Sequence, residues 1–507
     1  MTRKDAAWRA AGTAERARDW SGAFVGLDEE VSLADGRRVR YVNLDHAATT
    51  PPLRAVVDAV HESLRWYGSV HRGSGYKARR STADYDEAHA TIARFVGADL
   101  ARNVVIFGKN TTEAINKLSR RLAMPDGSVV VTTQLEHHSN DLPWRRCATV
   151  VHARATPDGR LDEDDLDRLL RQYAGRVALV AVTGASNVTG VVPPIHRLAR
   201  KAHAAGARIL VDAAQLVAHR RLDMRPDDDP EHLDFVAFSG HKMYAPFGTG
   251  VLVGPRDTFL DGAPDVVGGG TVDVVTTHDV TWAGLPDREE AGTPNAMGAV
   301  AIAAAARVLM DWGLDAVRAH EDALAAYARE RLRAVPGLTL YGEPPAGWTS
   351  DRVGVVPFNL AHLHHEQLAG LLGEAGIGVR NGCFCAQPYV AHLLRASASH
   401  WDAGAAGAGG WPAGGAGLAG AVSATEVSTT EVPATAVPAS EVRPGMVRLS
   451  LGAGNTRADV DALVALVEEA AGRARRRAPG TATRRVLRWG GSAARVAPGP
   501  RDVVSRV

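Results

Sequence analysis

Lysine is nearly absent from this 507-residue chain: only six of its 58 basic residues are lysines, at positions 4, 77, 109, 117, 201 and 242. Cysteine is rarer still. Cys147, Cys383 and Cys385 are the whole complement, too few for a disulfide framework, and a reducing cytoplasm is the simplest setting for them. Charge of one sign is also missing. With 58 basic and 57 acidic residues the formal net charge is +1, so nothing in the overall balance calls for nucleic acid or an anionic membrane. No run of ~18 residues is apolar enough for a membrane-spanning helix. Residues 1–20 lack the continuous apolar segment of a signal peptide. What remains, at 45% hydrophobic residues, has the composition of a globular protein of about two to four domains.

Within that frame the chain is well patterned. From residue 41 to about 300, short apolar runs at 104–107, 128–132, 177–183, 207–211, 233–238 and 250–253 alternate with helical periods such as 112–123 and 195–205. Strand, helix, strand with fully apolar strands predicts a parallel α/β sheet covered on both faces, with ligands beyond the carboxyl ends of the strands. A long helical stretch over 295–335, interrupted at Gly313, follows. A strand at 353–356 stopped by Pro357, a helix over 366–375 and a strand at 447–451 then predict a smaller α+β domain. The expected division is 1–40 packing on the smaller domain, 41–300 as the large domain and 301–472 as the small one. Within the small domain, the Ala-, Gly-, Ser- and Pro-rich stretch 397–443 reads as a flexible insertion, and 473–507 reads as a disordered basic tail.

Lys242 ends one of the predicted strands, in Phe238-Ser239-Gly240-His241-Lys242-Met243. Arginine can replace lysine as a charge, but only lysine can lose its proton near neutral pH and form a Schiff base with an aldehyde. That chemistry points to pyridoxal phosphate. Such a cofactor needs a carboxylate at its ring nitrogen. Asp212, at the end of the preceding apolar strand, is placed for it, with Gln215 in reach of the ring oxygen. Taken alone, a strand-end aspartate is more often a helix cap; the neighbouring lysine changes its meaning. The phosphate needs main-chain N–H groups and hydroxyls at a helix start. Asn110-Thr111-Thr112-Glu113 offers both, although such sequences are also ordinary caps. Ser239 and His241 stand beside the lysine for the same anion. His137, in Glu136-His137-His138-Ser139-Asn140, ends another strand, where an imidazole can stack on the ring. Two adjacent histidines without a third ligand in register do not make a metal site, and none is expected.

Taken together, the chain resembles the class V, fold-type I pyridoxal phosphate enzymes of the cysteine desulfurase and selenocysteine lyase group, the type II branch in particular. The resemblance rests on Tyr41-Val-Asn-Leu-Asp-His-Ala-Ala-Thr-Thr-Pro51, Ser69-Val-His-Arg-Gly73, Thr111-Thr-Glu-Ala-Ile-Asn116, Glu136-His-His-Ser-Asn140 and Ser186-Asn187. It continues through Val211-Asp-Ala-Ala-Gln215, Phe238-Ser-Gly-His-Lys-Met-Tyr244, Glu290-Ala-Gly-Thr-Pro-Asn295, Gly378-Val-Arg-Asn-Gly-Cys-Phe-Cys-Ala-Gln-Pro388 and Val447-Arg-Leu-Ser450. It spans about 25–395 and 444–472. The implied fold is an α/β fold-type I architecture: a large domain with a mainly parallel sheet flanked by helices, plus a smaller α+β domain.

The resemblance also implies roles. Lys242 carries the cofactor and moves the substrate Cα proton, His137 stacks on the ring, Asp212 pairs with its nitrogen and Gln215 bonds its hydroxyl. Thr111 or Thr112, Ser239 and His241 hold the phosphate. Thr293 matches a residue given to the neighbouring subunit, which implies a homodimer. Asn187 lies near the substrate and Arg448 takes its carboxylate. Cys385 is the nucleophile that receives sulfur as a persulfide from L-cysteine or a close analogue, while alanine leaves. Arg380 is near enough in sequence to favour its thiolate. A sulfur-acceptor protein is the implied partner. Without the resemblance, Cys385 reads as well as a small buried apolar residue.

Three features depart from the family pattern. Cys383-Phe384 stands where two histidines are common, Lys109-Asn110 replaces Arg-Gly in the phosphate turn, and 397–443 intervenes between the cysteine and Arg448. Other enzymes of this scaffold remain open: a carbon–sulfur or selenocysteine lyase, or an epimerase, would need Lys242, Asp212 and Arg448 but not Cys385. A non-catalytic interaction protein on the same fold is a further alternative.

Overall fold

The computed structural model describes residues 20–344, 351–397 and 444–477. Of the expected insertion only Ser397 falls among them, and the tail beyond 477 lies outside the described residues. Residues 473–477, expected to be disordered, instead finish the helix Arg457–Arg477. A Glu469–Arg473 pair one turn apart and cations at a helix C-terminus, which suit the helix dipole, account for the extension.

The chain enters along the large domain. Trp20 stacks on Trp312 with ring centroids 5.1 Å apart, and Phe24 packs on Tyr244 at 5.0 Å. Both belong to the largest core, whereas residues 1–40 were expected on the smaller domain. Two large aromatic side chains find aromatic partners there, and burying each contributes ~1.5–3 kcal/mol. The hairpin of β1 (Glu30–Ser32) and β2 (Arg38–Arg40) does lean on the smaller domain, with Val31 and Val39 against Gly376. The next strand, β3 (Val42–Asn43), pairs in parallel with Ile377–Gly378.

The central sheet has seven strands: β4 (Asn103–Gly108), β5 (Val129–Thr133), β6 (Thr149–Ala153), β7 (Val177–Thr183), β8 (Arg208–Asp212), β9 (Phe235–Ser239) and β10 (Gly250–Pro255). Their spatial order is β4-β10-β9-β8-β7-β5-β6. Alternate residues feed two cores. Val105, Val131, Val180, Val211 and Phe238 face one; Ile106, Val130, Leu179, Leu210 and Ala237 face the other. That is the period-two consequence of a sheet covered on both sides. Strands β5 to β9 are parallel. Strand β10 is antiparallel to both neighbours, because the connection 240–249 is too short for a crossover. The edge strand β6 had no counterpart in the apolar runs, since its side chains are half-buried or exposed until Ala153.

Beyond the sheet lie the hairpin β11 (Val272–Val275) and β12 (Val280–Trp282) and two helices, Ala296–Trp312 and Leu314–Arg333, which meet at 80° around Gly313. No single helix among the described residues is long and apolar enough to cross a membrane. The smaller domain contains β13 (Leu338–Leu340), β14 (Val355–Leu360), β15 (Ile377–Gly378), β16 (Arg380–Gly382) and β17 (Met446–Ser450). Strand β15 is the partner of β3. The other four form an antiparallel sheet in the order β13-β14-β17-β16. Pro357 was expected to stop a strand but sits inside β14. Its carbonyl accepts Tyr341 N–H at 3.1 Å, so its missing N–H points to the same side, where β13 has already ended.

Candidate active site

The carboxyl ends of β7, β8 and β9 stop at Thr183, Asp212 and Ser239, and they floor a cavity of about 340 Å³. Every site residue expected from the sequence lines this cavity except Thr293, which is exposed on the loop before helix Ala296–Trp312.

On the floor, Asp212 is buried and its Oδ1 accepts Ala214 N–H at 3.0 Å. Burial raises its pKa, and the charge of Lys242 only partly opposes this. Lys242 follows β9 in the 3-10 turn Gly240–Lys242 and makes no hydrogen bond or ion pair among the described residues. Burial lowers its pKa, with Asp212 pulling the other way. A half-buried amine that loses its proton more readily and is bonded to no other described residue is suited to react with a carbonyl carbon. Gln215 donates one amide hydrogen to Ala47 O at 2.6 Å and keeps a second donor.

His137 Nδ1 accepts Ser139 N–H at 3.1 Å. Burial, then the positive charges of Lys242, His138 and Arg448, lower its pKa to about 4, so the ring is neutral at physiological pH. Glu136, to which the sequence reading gave no role, ties the strand ends beneath that ring. Its Oε1 accepts Thr133 Oγ1–H at 2.6 Å and Thr183 N–H at 3.0 Å, and its Oε2 accepts Asn140 Nδ2–H at 2.7 Å. Burial raises its pKa to about 8.

One end of the cavity is built for an anion. Asn110 caps helix Thr111–Arg121 by accepting Glu113 N–H at 3.0 Å, so the departure Lys109-Asn110 leaves the helix start capped. Thr111 N–H donates to Ser239 Oγ at 2.8 Å, and the two hydroxyls are 2.6 Å apart. Thr112 Oγ1 and Ser139 Oγ lie 2.7 Å apart, and His241 Nδ1 is 3.3 Å from Thr49 Oγ1. Ser139 and Thr49 were not singled out from the sequence. Gly250 makes the arrangement possible: a Cβ there would lie 2.4 Å from the main chain of Asn110.

The opposite wall comes from remote segments. Phe384 and Cys385 both have left-handed backbones, at φ 52° and 54°, a conformation that persists only where surroundings impose it. Here His138 N–H donates to Cys385 O at 2.8 Å, and Asn187 Nδ2–H donates to Phe384 O at 2.7 Å. The guanidinium of Arg448 covers the Phe384 ring at 5.0 Å. Asn187, expected near a substrate, thus also holds the cysteine loop. Cys385 is exposed and its thiol is free. Arg448 is buried. Its Nη2 donates to Asp45 Oδ1 and its Nη1 to Asn187 O, both at 2.9 Å, while its Nε has no partner among the described residues. Arg380 grips the other oxygen of Asp45 at 2.9–3.0 Å. Asp45 was part of a quoted motif but had no assigned role, because nothing local shows that it joins two arginines.

The sequence matches the aminotransferase class-V family over residues 42–463. It is 39% identical over 356 residues to a cysteine desulfurase of Haloferax volcanii, covering 68% of this chain and 81% of that protein. It is 37% identical over 378 residues to a probable cysteine desulfurase of Streptomyces coelicolor, covering 72% and 87%. Among solved structures, the cysteine desulfurase CsdA of Escherichia coli, in an S-sulfonic acid form, superimposes with a TM-score of 0.68 at 29% identity, covering 90% of this chain and 98% of that one. The apo cysteine desulfurase of Thermococcus onnurineus NA1 gives 0.69 at 28% identity, covering 85% and 95%.

Proposed function

From the premise that this chain belongs to the cysteine desulfurase branch of the class-V aminotransferase family, we infer that it is a pyridoxal-phosphate-dependent cysteine desulfurase. It takes sulfur from L-cysteine onto Cys385 as a persulfide and releases L-alanine. The donor set fits the cofactor. Hydroxyls and a helix start suit a phosphate, a buried carboxylate suits the ring nitrogen, the free amide hydrogen of Gln215 suits the ring hydroxyl, and the amine of Lys242 suits the aldehyde. When bound, the cofactor supplies an electron sink that stabilises negative charge at the substrate Cα.

The chain's own residues do the rest. His137 presents a flat, uncharged ring to one side of the cavity. Lys242, neutralised more easily by burial, takes and returns the Cα proton. Arg448 receives the substrate carboxylate, for which a planar two-donor group is suited, and Asp45 keeps its charge compensated until then. The thiolate of Cys385 attacks the substrate sulfur, so that a sulfur–sulfur bond forms as the carbon–sulfur bond breaks. Its exposure leaves the persulfide open to an acceptor protein or a reductant. A homodimer is part of this reading. Val266, Val267, Val274 and Val275 are 51–62% exposed, apolar side chains that a partner subunit can cover. The loop carrying Thr293 is tied to the same region by Gly292 N–H to Gly269 O at 2.7 Å.

The observation that carries the proposal is that Cys385, Arg448 and Lys242 open onto one cavity. Product analysis tests it, with cofactor-loaded enzyme, L-cysteine and a reductant. Wild type is expected to yield alanine and sulfide in equal amounts, with sulfide release collapsing in Cys385→Ala. Pyruvate and ammonia, or indifference to the substitution, would assign the protein to the lyase alternative.

A further inference from the structure

The sheet has a second polar cluster, at the end remote from the cavity. His203 lies at the close of helix Ile195–Ala204, and His232 and Asp234 lie just before β9. Each imidazole sets its Nδ1 against a main-chain carbonyl, His203 on Pro230 O at 2.9 Å and His232 on Asp229 O at 2.7 Å. A carbonyl can only accept, so both rings donate from Nδ1 and turn Nε2 inward. Both Nε2 atoms face the same carboxylate, and His203 Nε2 is hydrogen-bonded to it. His203 Nε2 is 2.9 Å from Asp234 Oδ2, and His232 Nε2 is 3.6 Å from Oδ1. The Oδ2 atom is itself fixed by Ile209 N–H at 2.8 Å. The two rings stack, with centroids 4.2 Å apart and planes at 22°.

A proton shared between His203 and Asp234 would satisfy that pair. It would leave His232 Nε2 beyond hydrogen-bond reach of the carboxylate, and a second proton would place two imidazolium rings face to face. One cation meets all three groups at once. The donor atoms lie within 4.8 Å of one another. Ligands at about 2.0–2.2 Å from a tetrahedral zinc are spaced by roughly 3.3 Å, so binding requires the stacked rings to turn until both Nε2 atoms converge on the ion. The Nδ1-to-carbonyl bonds are the outer contacts that metal-binding histidines use to fix tautomer and aim. Side chains 10–19% exposed leave a path for the ion and for a water as fourth ligand.

We propose that His203, His232 and Asp234 form a structural site for a divalent transition metal, best matched by Zn²⁺, at the end of the sheet opposite the catalytic cavity. Bound there, the ion pins the helix Ile195–Ala204 to the start of β9, the strand whose far end delivers Ser239 and Lys242. It lies outside the reaction, so its role is to hold the strand rather than to activate substrate. Sequence spacing conceals the site, because helix, strand β8 and a loop separate His203 from His232.

The test titrates metal-stripped, cofactor-loaded full-length enzyme with Zn²⁺ against a chromophoric chelator and follows the thermal midpoint in parallel. One Zn²⁺ per chain is expected, with a raised midpoint. His232→Gln and His203→Gln should each weaken binding by ~100-fold or more and abolish the thermal shift, while Cys385→Ala leaves both intact. Metal-free activity of His232→Gln equal to wild type shows that the variant folds. Absence of Zn²⁺ binding, binding removed by Cys385→Ala, or affinity unchanged in both histidine variants would overturn the proposal.

Discussion

The two walls of the catalytic cavity are made differently. The floor, with Asp212, Ser239 and Lys242, consists of consecutive strand ends in a sheet buried on both faces, and its geometry follows from the sheet itself. The cysteine wall is assembled from Asp45, Asn187, the loop 383–385 and Arg448. Its key ion pairs join residues 335 and 403 positions apart. The floor needs one domain to be folded; the wall needs two domains to meet. Cofactor retention should therefore depend on the floor alone, and sulfur transfer on both.

Substitutions can separate the two. The largest effect is expected for Lys242→Ala, which should lower turnover by more than ~10³-fold and erase the Schiff-base absorbance. Arg448→Lys, on the wall, should lower kcat/KM by ~100-fold, mainly through KM, because a point charge replaces a planar two-donor group. Its cofactor absorbance should match wild type; loss of that absorbance would mean that floor and wall are not separable. Gly250→Ala should act on the floor without touching substrate. Forcing a methyl against the Asn110 main chain should cost about 1–3 kcal/mol, read as a lower thermal midpoint and weaker cofactor binding.

Glu136 adds a pH dependence of stability, seen only as a difference between two profiles. Glu136 has a folded-state pKa of about 8 against an ordinary value of 4.5, so the folded protein binds its proton more tightly than the unfolded chain. Its contribution is complete below pH 4.5 and is lost as pH rises toward 8. The thermal midpoint of Glu136→Gln should therefore fall less steeply than that of wild type across this window. Parallel profiles would show that Glu136 is ionised in the fold.

The same contrast explains what the sequence revealed. Asp212 and Lys242 were legible because each closes a run of buried apolar residues, and a strand end facing the ligand side is a local fact. Asn110 and the two threonines were legible for the same reason, at a helix start. Asp45 was not, because its meaning lies in arginines hundreds of residues away. Asn187 was read as a substrate neighbour, and its grip on Phe384 O appears only when the cysteine loop is in place. Glu136 passed as a flank of two histidines, since its bond from Thr183 N–H depends on β5 and β7 lying side by side. In the fold, the half-exposed β6 and the proline within β14 escaped local reading because neighbouring strands, not propensity, decide them.

The central claim is that Cys385 receives the sulfur, and peptide mass spectrometry of the enzyme after one turnover tests it most directly. With L-cysteine, alkylation of exposed thiols and no reductant, the account predicts one added sulfur on the peptide containing Cys385 in wild type and none in Lys242→Ala. Added sulfur confined to Cys383 or Cys147, or present on Cys385 without Lys242, would contradict it.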